Sequence, residues 1–274
     1  MCRWLAYSGA PLRLSQMVYA PVRSLIDQSL QAELGTVPAN GDGFGIGWYD
    51  TTPVPVVFHS IEPAWSDANL RELAGHLVSP LFFAHIRAAV GSPVQKTNCH
   101  PFRHDQWLFM HNGHIESFAA IKRDLTFAVD PSLYPQIKGS TDSEVLFYLA
   151  LTFGLADDPP SAVARAIGLV EECGRAKGVT YPFQGTVAVA DGETTWVFRY
   201  SSVGTSPSLF FTHDIPRIRE QYPDEEMLQG VGEDARLVVS EPIGDLPDAW
   251  AQMPEATCRI AASDGDQLMP FAPR

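Results

Sequence analysis

The sequence predicts an α+β fold of two stacked antiparallel sheets with helices on the outside. Three observations carry this. Short segments rich in β-branched and aromatic residues recur along the whole chain. Helical patterns fall between and after them instead of alternating strictly with them, which argues against a parallel, doubly wound sheet. The best-defined pair of segments, 185–190 and 195–200, reads as an antiparallel hairpin about Asp191-Gly192. A single domain spanning residues 1–274 is within the range of that length.

In chain order, Arg3 to Tyr7 is short, apolar and aromatic and predicts a strand that stops at Ser8-Gly9. Residues 22–34 predict a helix or an extended helical turn with Leu25, Ile26 and Leu30 on one side. The glycines of Asn40-Gly41-Asp42-Gly43-Phe44-Gly45-Ile46-Gly47 lead into Trp48-Tyr49, a strand. A dinucleotide loop would need a strand before it and a helix after it, so the segment reads as a tight turn and a strand packed close to another backbone. Residues 53–59 predict a strand, and 67–78 an amphipathic helix through Leu70, Leu73 and Leu77. The apolar run 81–86 predicts a buried strand that ends in Arg87. The strand Trp107–Met110 precedes His111-Asn112-Gly113-His114, which reads as a turn into a helix over 116–125. In Ser140-Thr141-Asp142-Ser143-Glu144, a hydroxyl followed by an acid marks a helix start, and Asp142 taken alone reads as part of that cap. A helix over 159–175 and strands over 208–212, 235–240 and 257–262 complete the pattern.

The formal net charge is −13, from 32 acidic and 19 basic residues. Nucleic acid and anionic membranes call for a basic patch, and none stands out, so neither is expected as a partner. The cysteines, Cys2, Cys99, Cys173 and Cys258, are far apart and form no CxxC pair, which argues against a zinc ribbon and against a dense disulfide framework. No apolar run reaches the ~18 residues of a membrane span, and none resembles a signal peptide. A cytoplasmic protein is expected.

The chemistry begins at Met1-Cys2. Removal of Met1, which a small second residue permits, would give Cys2 both a thiol and a free α-amine. An α-amine titrates at about 7.7–8.0, close to what a general base needs at neutral pH. A nucleophile activated by its own terminal amine is a known device. Amide cleavage through a thioester also needs an oxyanion hole, which the Asn112 side chain and the Gly113 N–H could supply. A γ-glutamyl substrate brings a carboxylate and an ammonium, which an arginine and an aspartate would pair. Arg87 and Asp142 leave no charge over.

At these residues the chain resembles the class II glutamine amidotransferases, whose glutaminase domain is an N-terminal-nucleophile hydrolase. The matching elements are Met1-Cys2, Asn40-Gly41-Asp42-Gly43, His85-Ile86-Arg87, Asn98-Cys99-His100-Pro101, His111-Asn112-Gly113 and Ser140-Thr141-Asp142-Ser143-Glu144. The resemblance implies a four-layer αββα sandwich with Cys2 as nucleophile, its amine as base, and Asn112 and Gly113 as oxyanion hole. Arg87 would hold the α-carboxylate, Asp142 the α-ammonium, and His100 would border the glutamyl pocket. No cofactor and no metal are implied. The family often has threonine three residues after the arginine, and this chain has Val90 there. The chain leaves no room for a synthetase or isomerase domain, so it resembles the stand-alone branch, which includes the γ-glutamyl amidohydrolase of ergothioneine synthesis and a glutathione-degrading component in fungi. A small-molecule γ-glutamyl substrate is expected; a synthetase partner and a homo-oligomer are both compatible with it.

Two other classes are weighed. His100, His104, His111 and His114 lie close enough in sequence to suggest a metal-dependent hydrolase, but His-x-x-x-His needs a helix where this stretch reads as turn and strand. A non-catalytic binding module would not need Cys2, Arg87, Asn112 and Asp142 together.

Overall fold

The computed structural model describes residues 2–34, 39–89, 91–212, 214–262 and 265–274. In chain order they form β1 (Arg3–Arg13), α1 (Ser15–Val18), α2 (Leu25–Leu30), β2 (Phe44–Trp48), β3 (Val56–Ser60), α3 (Ala68–His76), β4 (Val78–Ile86), β5 (Phe102–His104), β6 (Trp107–Ile115), α4 (Phe118–Phe127), α5 (Asp142–Thr152), α6 (Pro159–Ala176), β7 (Phe183–Ala190), β8 (Thr195–Ser201), β9 (Phe210–Thr212), α7 (Ile215–Gln221), β10 (Arg236–Val239), β11 (Trp250–Gln252), β12 (Thr257–Ala262) and β13 (Gly265–Pro270). One sheet runs β11-β9-β10-β1-β4-β2-β3 and the other β13-β12-β8-β7-β6-β5. The paired neighbours are antiparallel throughout.

The two-residue period of a strand sorts the side chains into layers. Leu5 and Tyr7 of β1 pack outward against Met17, Leu25, Leu70 and Ile215 from α1, α2, α3 and α7. Trp4 and Ala6, on the other face, meet Leu108, Met110 and Ala188 of the second sheet. That sheet turns Phe109, Val187 and Phe198 outward onto Ile121, Phe147 and Ile167 of α4, α5 and α6. The layers are therefore helix, sheet, sheet, helix, as expected. Trp4, fully buried between the sheets, also donates from Nε1 to Thr186 Oγ1 at 3.1 Å, which pins the two sheets at the Cys2 end of β1.

Four local expectations need correction. β1 does not stop at Ser8-Gly9 but continues to Arg13, with a register shift between Ser8 and Leu12. Gly9 marks a close approach: a Cβ there would lie 2.9 Å from Ala235 Cα. Of the predicted helix over 22–34, only Leu25–Leu30 forms, opened by a reciprocal capping box between Ser24 and Asp27. Leu30 is 51% exposed, and Gln31 is extended. The residues around Pro53 and Pro55 do not join a ladder, and β3 starts only at Val56.

The fourth correction matters most. His111-Asn112-Gly113-His114 is no turn: β6 runs through it to Ile115, paired with β7 so that Gly113 faces Gly185. Gly113 is present because it lacks a side chain. A Cβ there would sit 2.0 Å from Gln184 O and 2.5 Å from Gly185 Cα. The chain leaves the strand at Ser117, which takes a left-handed conformation. The reading of the Gly43–Gly47 segment holds, since a Cβ on Gly45 would lie 2.1 Å from His100 O and one on Gly47 2.6 Å from Pro101 Cγ.

Candidate active site

Cys2 immediately precedes β1, the fourth strand of seven, so it stands at the end of an inner strand. Its Sγ accepts the Ala88 N–H at 3.3 Å and lies 3.5 Å from Ala88 O. Burial pushes the thiol pKa up from its ordinary value, against the pull of the Ala88 N–H and of the Arg87 and Arg3 charges. The site therefore does not hold a ready-made thiolate, and the proton has to be taken by a base. Met1 and Val90 lie outside the described residues, so neither methionine removal nor the Val90 substitution has a structural account here.

Arg87 follows β4 and is 3% exposed. Its backbone N–H donates to Gly43 O at 2.8 Å, and the Asp42 N–H donates to Arg87 O at 3.1 Å, which docks the Asn40–Gly43 turn on the end of β4. One terminal nitrogen, Nη2, donates to Ser92 Oγ (2.7 Å) and Pro93 O (3.1 Å); Nη1 lies 3.4 Å from Asp42 O. The loop after β4 thus holds the guanidinium in place.

α5 starts with Thr141 as the N-cap, its side chain accepting the Glu144 N–H at 3.2 Å. Asp142 is the next residue, not the cap. Its Oδ2 accepts the Ile115 N–H at 2.8 Å, and its Oδ1 accepts the Ser143 N–H at 2.8 Å. The first of these contacts ties the helix start to the end of β6. It also orients the strand edge. The Ile115 N–H points away from β7, and alternate N–H groups of a strand point the same way. The Gly113 N–H therefore faces the same free edge, beyond the short β5, whose pairing stops at Phe109. The Asn112 side chain makes no hydrogen bond with another of the described residues.

His100 and His85 pack with ring centroids 4.4 Å apart and their planes tilted by 34°, and the Phe102 ring lies 4.6 Å from His100. Neither His100 ring nitrogen has a hydrogen-bond partner among the described residues. Burial, reinforced by neighbouring His85, holds His100 neutral, far below the usual imidazole range; His85 is pushed down to about 3, also mainly by burial. His111 bonds from Nδ1 with Ser143 Oγ at 2.9 Å and is likewise lowered by burial, opposed by the Asp142 charge. Its Nε2 packs on the strand backbone, 2.4 Å from where a Gly185 Cβ would be, and so is not turned to Cys2. Among the described residues no three His, Cys, Asp or Glu groups gather to hold a metal ion; His104 lies beside Asp105, and His114, which lines the cavity described next, lies beside Glu116.

A cavity of about 160 Å³ collects these groups. Cys2, Arg87, His100, Asn112, Gly113 and Asp142 all line it, so all six residues expected from the sequence come together. Ser92, Asn98, His111, His114, Thr141 and Ser143 line it too and were not expected in this pocket, although Asn98, His111, Thr141 and Ser143 stand inside the quoted motifs. Asn98, fully buried, braces the walls: it donates to Pro93 O at 2.9 Å and accepts the Ser140 N–H at 2.8 Å.

The model of the class II glutamine amidotransferases matches residues 15–207, more than half of the chain. The chain belongs to this family. It is 35% identical over 285 residues to the probable glutamine amidotransferase DUG3 of Saccharomyces cerevisiae, covering 93% of this chain and 80% of that one. It is 35% identical over 120 residues to the γ-glutamyl-hercynylcysteine sulfoxide hydrolase of Mycolicibacterium smegmatis, a match that spans 42% of this chain and about half, 52%, of that relative. Among solved structures, a glutamine aminotransferase class-II domain protein from Silicibacter pomeroyi superposes with a TM-score of 0.74 at 33% identity, over 99% of this chain and 100% of the other. The glutamine phosphoribosylpyrophosphate amidotransferase of B. subtilis, at 15% identity, shares the fold, with a TM-score of 0.66 over 99% of this chain and 49% of its own.

Proposed function

We propose that this protein is an amidohydrolase that cleaves the γ-amide of glutamine or of a γ-glutamyl compound through a thioester at Cys2, releasing glutamate. The observation that carries the reading is the convergence on one cavity of Cys2, a strand edge bearing Asn112 and the Gly113 N–H, and two opposite charges, Arg87 and Asp142. In this reading Arg87 takes the α-carboxylate, Asp142 the α-ammonium, and His100 borders the glutamyl chain. After Met1 is removed, the Cys2 α-amine takes the thiol proton. Sulfur attacks the γ-carbonyl carbon, and the oxyanion settles on Asn112 and Gly113. The C–N bond breaks, the leaving nitrogen takes the proton from the α-ammonium, and water then hydrolyses the thioester to glutamate and free thiol.

The raised thiol pKa supports the need for an internal base. Burial lowers the imidazoles of His100 and His111 in the cavity wall, so neither competes with Arg87 and Asp142, the opposite charges that would face a zwitterionic glutamyl group. The name of the M. smegmatis relative supports substrates larger than glutamine. We further place the activity in one unit, residues 1–274, acting in the cytoplasm; the four free thiols fit a reducing compartment.

The test is glutamate release from glutamine and from a series of γ-glutamyl amides. A chain with Met1 removed is expected to turn over, and one with residues retained ahead of Cys2 to be folded but nearly inactive. Full activity with a blocked amine would remove the amine from the mechanism, and turnover by Cys2→Ala would remove the thioester.

A further inference from the structure

We propose that the buried ion pair between Arg3 and Glu241 is the positioning device of the nucleophile, and that it latches the chain at residues 33–34 beside Cys2. The proposal rests on Cys2 being the nucleophile. Arg3 is the next residue in the chain, and it shares the helix-facing side of β1 with Leu5 and Tyr7, opposite Trp4. It does not line the catalytic cavity. It therefore acts on the reaction only through Cys2.

Arg3 is 1% exposed, in a layer whose other members on β1 are apolar. Taking both charges out of water is expensive, and well-packed apolar residues often do as well or better for stability. The contacts show what the charges do instead. Arg3 Nε donates to Glu241 Oε2 at 2.8 Å, Nη1 donates to the Cys2 carbonyl at 3.1 Å, and Nη2 donates to the Leu34 carbonyl. Glu241 accepts the Glu33 N–H on Oε1 at 2.9 Å and the Leu34 N–H on Oε2 at 3.1 Å. Gln28 Nε2 donates to the Glu241 carbonyl at 3.2 Å. Just beside this, the Trp4 N–H donates to Ser240 Oγ and the Ser240 N–H to Trp4 O, each at 3.0 Å. One planar guanidinium thus joins the Cys2 peptide, the carboxylate that follows β10, and the 33–34 backbone. A fork of fixed donors sets an orientation that a single rotatable ammonium does not. With Cys2 Sγ held at Ala88 on the other side, its carbonyl is held here, and the peptide plane of the nucleophile has no freedom left.

Arg3→Lys and Glu241→Asp keep the charges and are the variants of choice. Each is expected to lower kcat for glutamine hydrolysis at least tenfold while leaving KM within threefold, because substrate contacts are untouched. The paired replacement Arg3→Met/Glu241→Met leaves no buried charge unpaired and is expected to lose about as much kcat as the worse single variant, since the pair works as one unit. Conservative variants with kcat within threefold of wild type, or with kcat and KM changed together, overturn the proposal. Hydrogen exchange in the wild-type chain answers without any variant: the Glu33 and Leu34 amides are expected to be protected, and free exchange overturns the latch. If Cys2→Ala abolishes turnover and Arg3→Lys is fully active, the positioning role alone falls. If Cys2→Ala turns over, the proposed function falls first.

Discussion

At the level of single residues, the proposed function separates groups that would hold the substrate from groups that shape the strand edge. Arg87 belongs to the first kind. Losing a charge-assisted contact costs about 2–3 kcal/mol, a factor of roughly 30 to 150 in binding. Arg87→Ala is therefore expected to raise KM for every cleaved substrate by that order, while Cys2 still reacts with a small neutral alkylating agent. An unchanged KM would end the glutamyl-recognition claim. Gly113 belongs to the second kind. Gly113→Ala drives a methyl into Gln184 O and Gly185, and the edge of β6 has to move. Overpacking of this sort costs about 1–3 kcal/mol of stability. A displacement of about 1 Å at a reacting centre costs on the order of 100-fold in rate. Both should appear together, in a urea titration and in kcat. A fully active Gly113→Ala enzyme would show that this edge does not touch the reaction.

At the level of elements, α5 serves the site through its first turn. The Thr141 cap and the Asp142–Ile115 contact fix where the helix begins relative to β6. Thr141→Ala is expected to cost about 1 kcal/mol and to raise KM, because Asp142 sits on the turn that frays. A change in melting temperature without a change in KM would detach the cap from substrate binding. This cap was legible in the sequence as a hydroxyl followed by an acid. So were the β7–β8 hairpin, α6 and β12, where periodicity and turn chemistry agree. The path of β6 through Asn112-Gly113 was not legible. Asn-Gly has the composition of a turn, and only the facing Gly185, 72 positions away, gives the glycine its purpose. The same limit hid the roles of Ser92, Asn98 and Ser143. Small polar residues carry no chemistry by type, and their place is set by loops that meet only in the folded chain. Cys2, Arg87, Asn112, Gly113 and Asp142 were legible as candidates because each is of a type, a thiol, a charge or an oxyanion donor, that limits its role, whereas His100 came only from the family resemblance.

At the level of the molecule, the neutral histidines make stability depend on pH. His85, His100 and His111 are all held below the usual imidazole range by burial, His85 at about 3. Unfolded, each titrates at about 6.5. Above that pH both states are neutral and the full stability is present. As pH falls toward the folded values, the unfolded chain takes up protons that the native chain does not, and stability drops. For His85 and His100, held far below the unfolded value, the loss reaches about 1.4 kcal/mol each by pH 5.5, about 3 kcal/mol together, and His111 adds to it in the same direction. Urea midpoints at pH 7.5, 6.5 and 5.5 should be level at first and then fall. A midpoint unchanged at pH 5.5 would mean that these imidazoles are protonated in the native state.

The strand order of the first sheet has a consequence in time. β1 lies between β4 and β10, so the first strand of the chain is flanked by one that ends at Val239. The Arg3–Glu241 contact spans 238 positions. During synthesis at about 5–20 residues per second, roughly 12 to 48 seconds separate the emergence of Cys2 from that of Glu241. Throughout that interval β1 has at most one of its two neighbours, β4, and the Arg3–Glu241 contact cannot form. On the proposed function, Met1 can thus be removed before β10 closes over β1. A chain halted after Thr212 carries every motif from Cys2 to Glu144 and still lacks β10, one of the two neighbours of β1. It is expected to lose its initiator methionine normally, seen by mass, and to hydrolyse no glutamine.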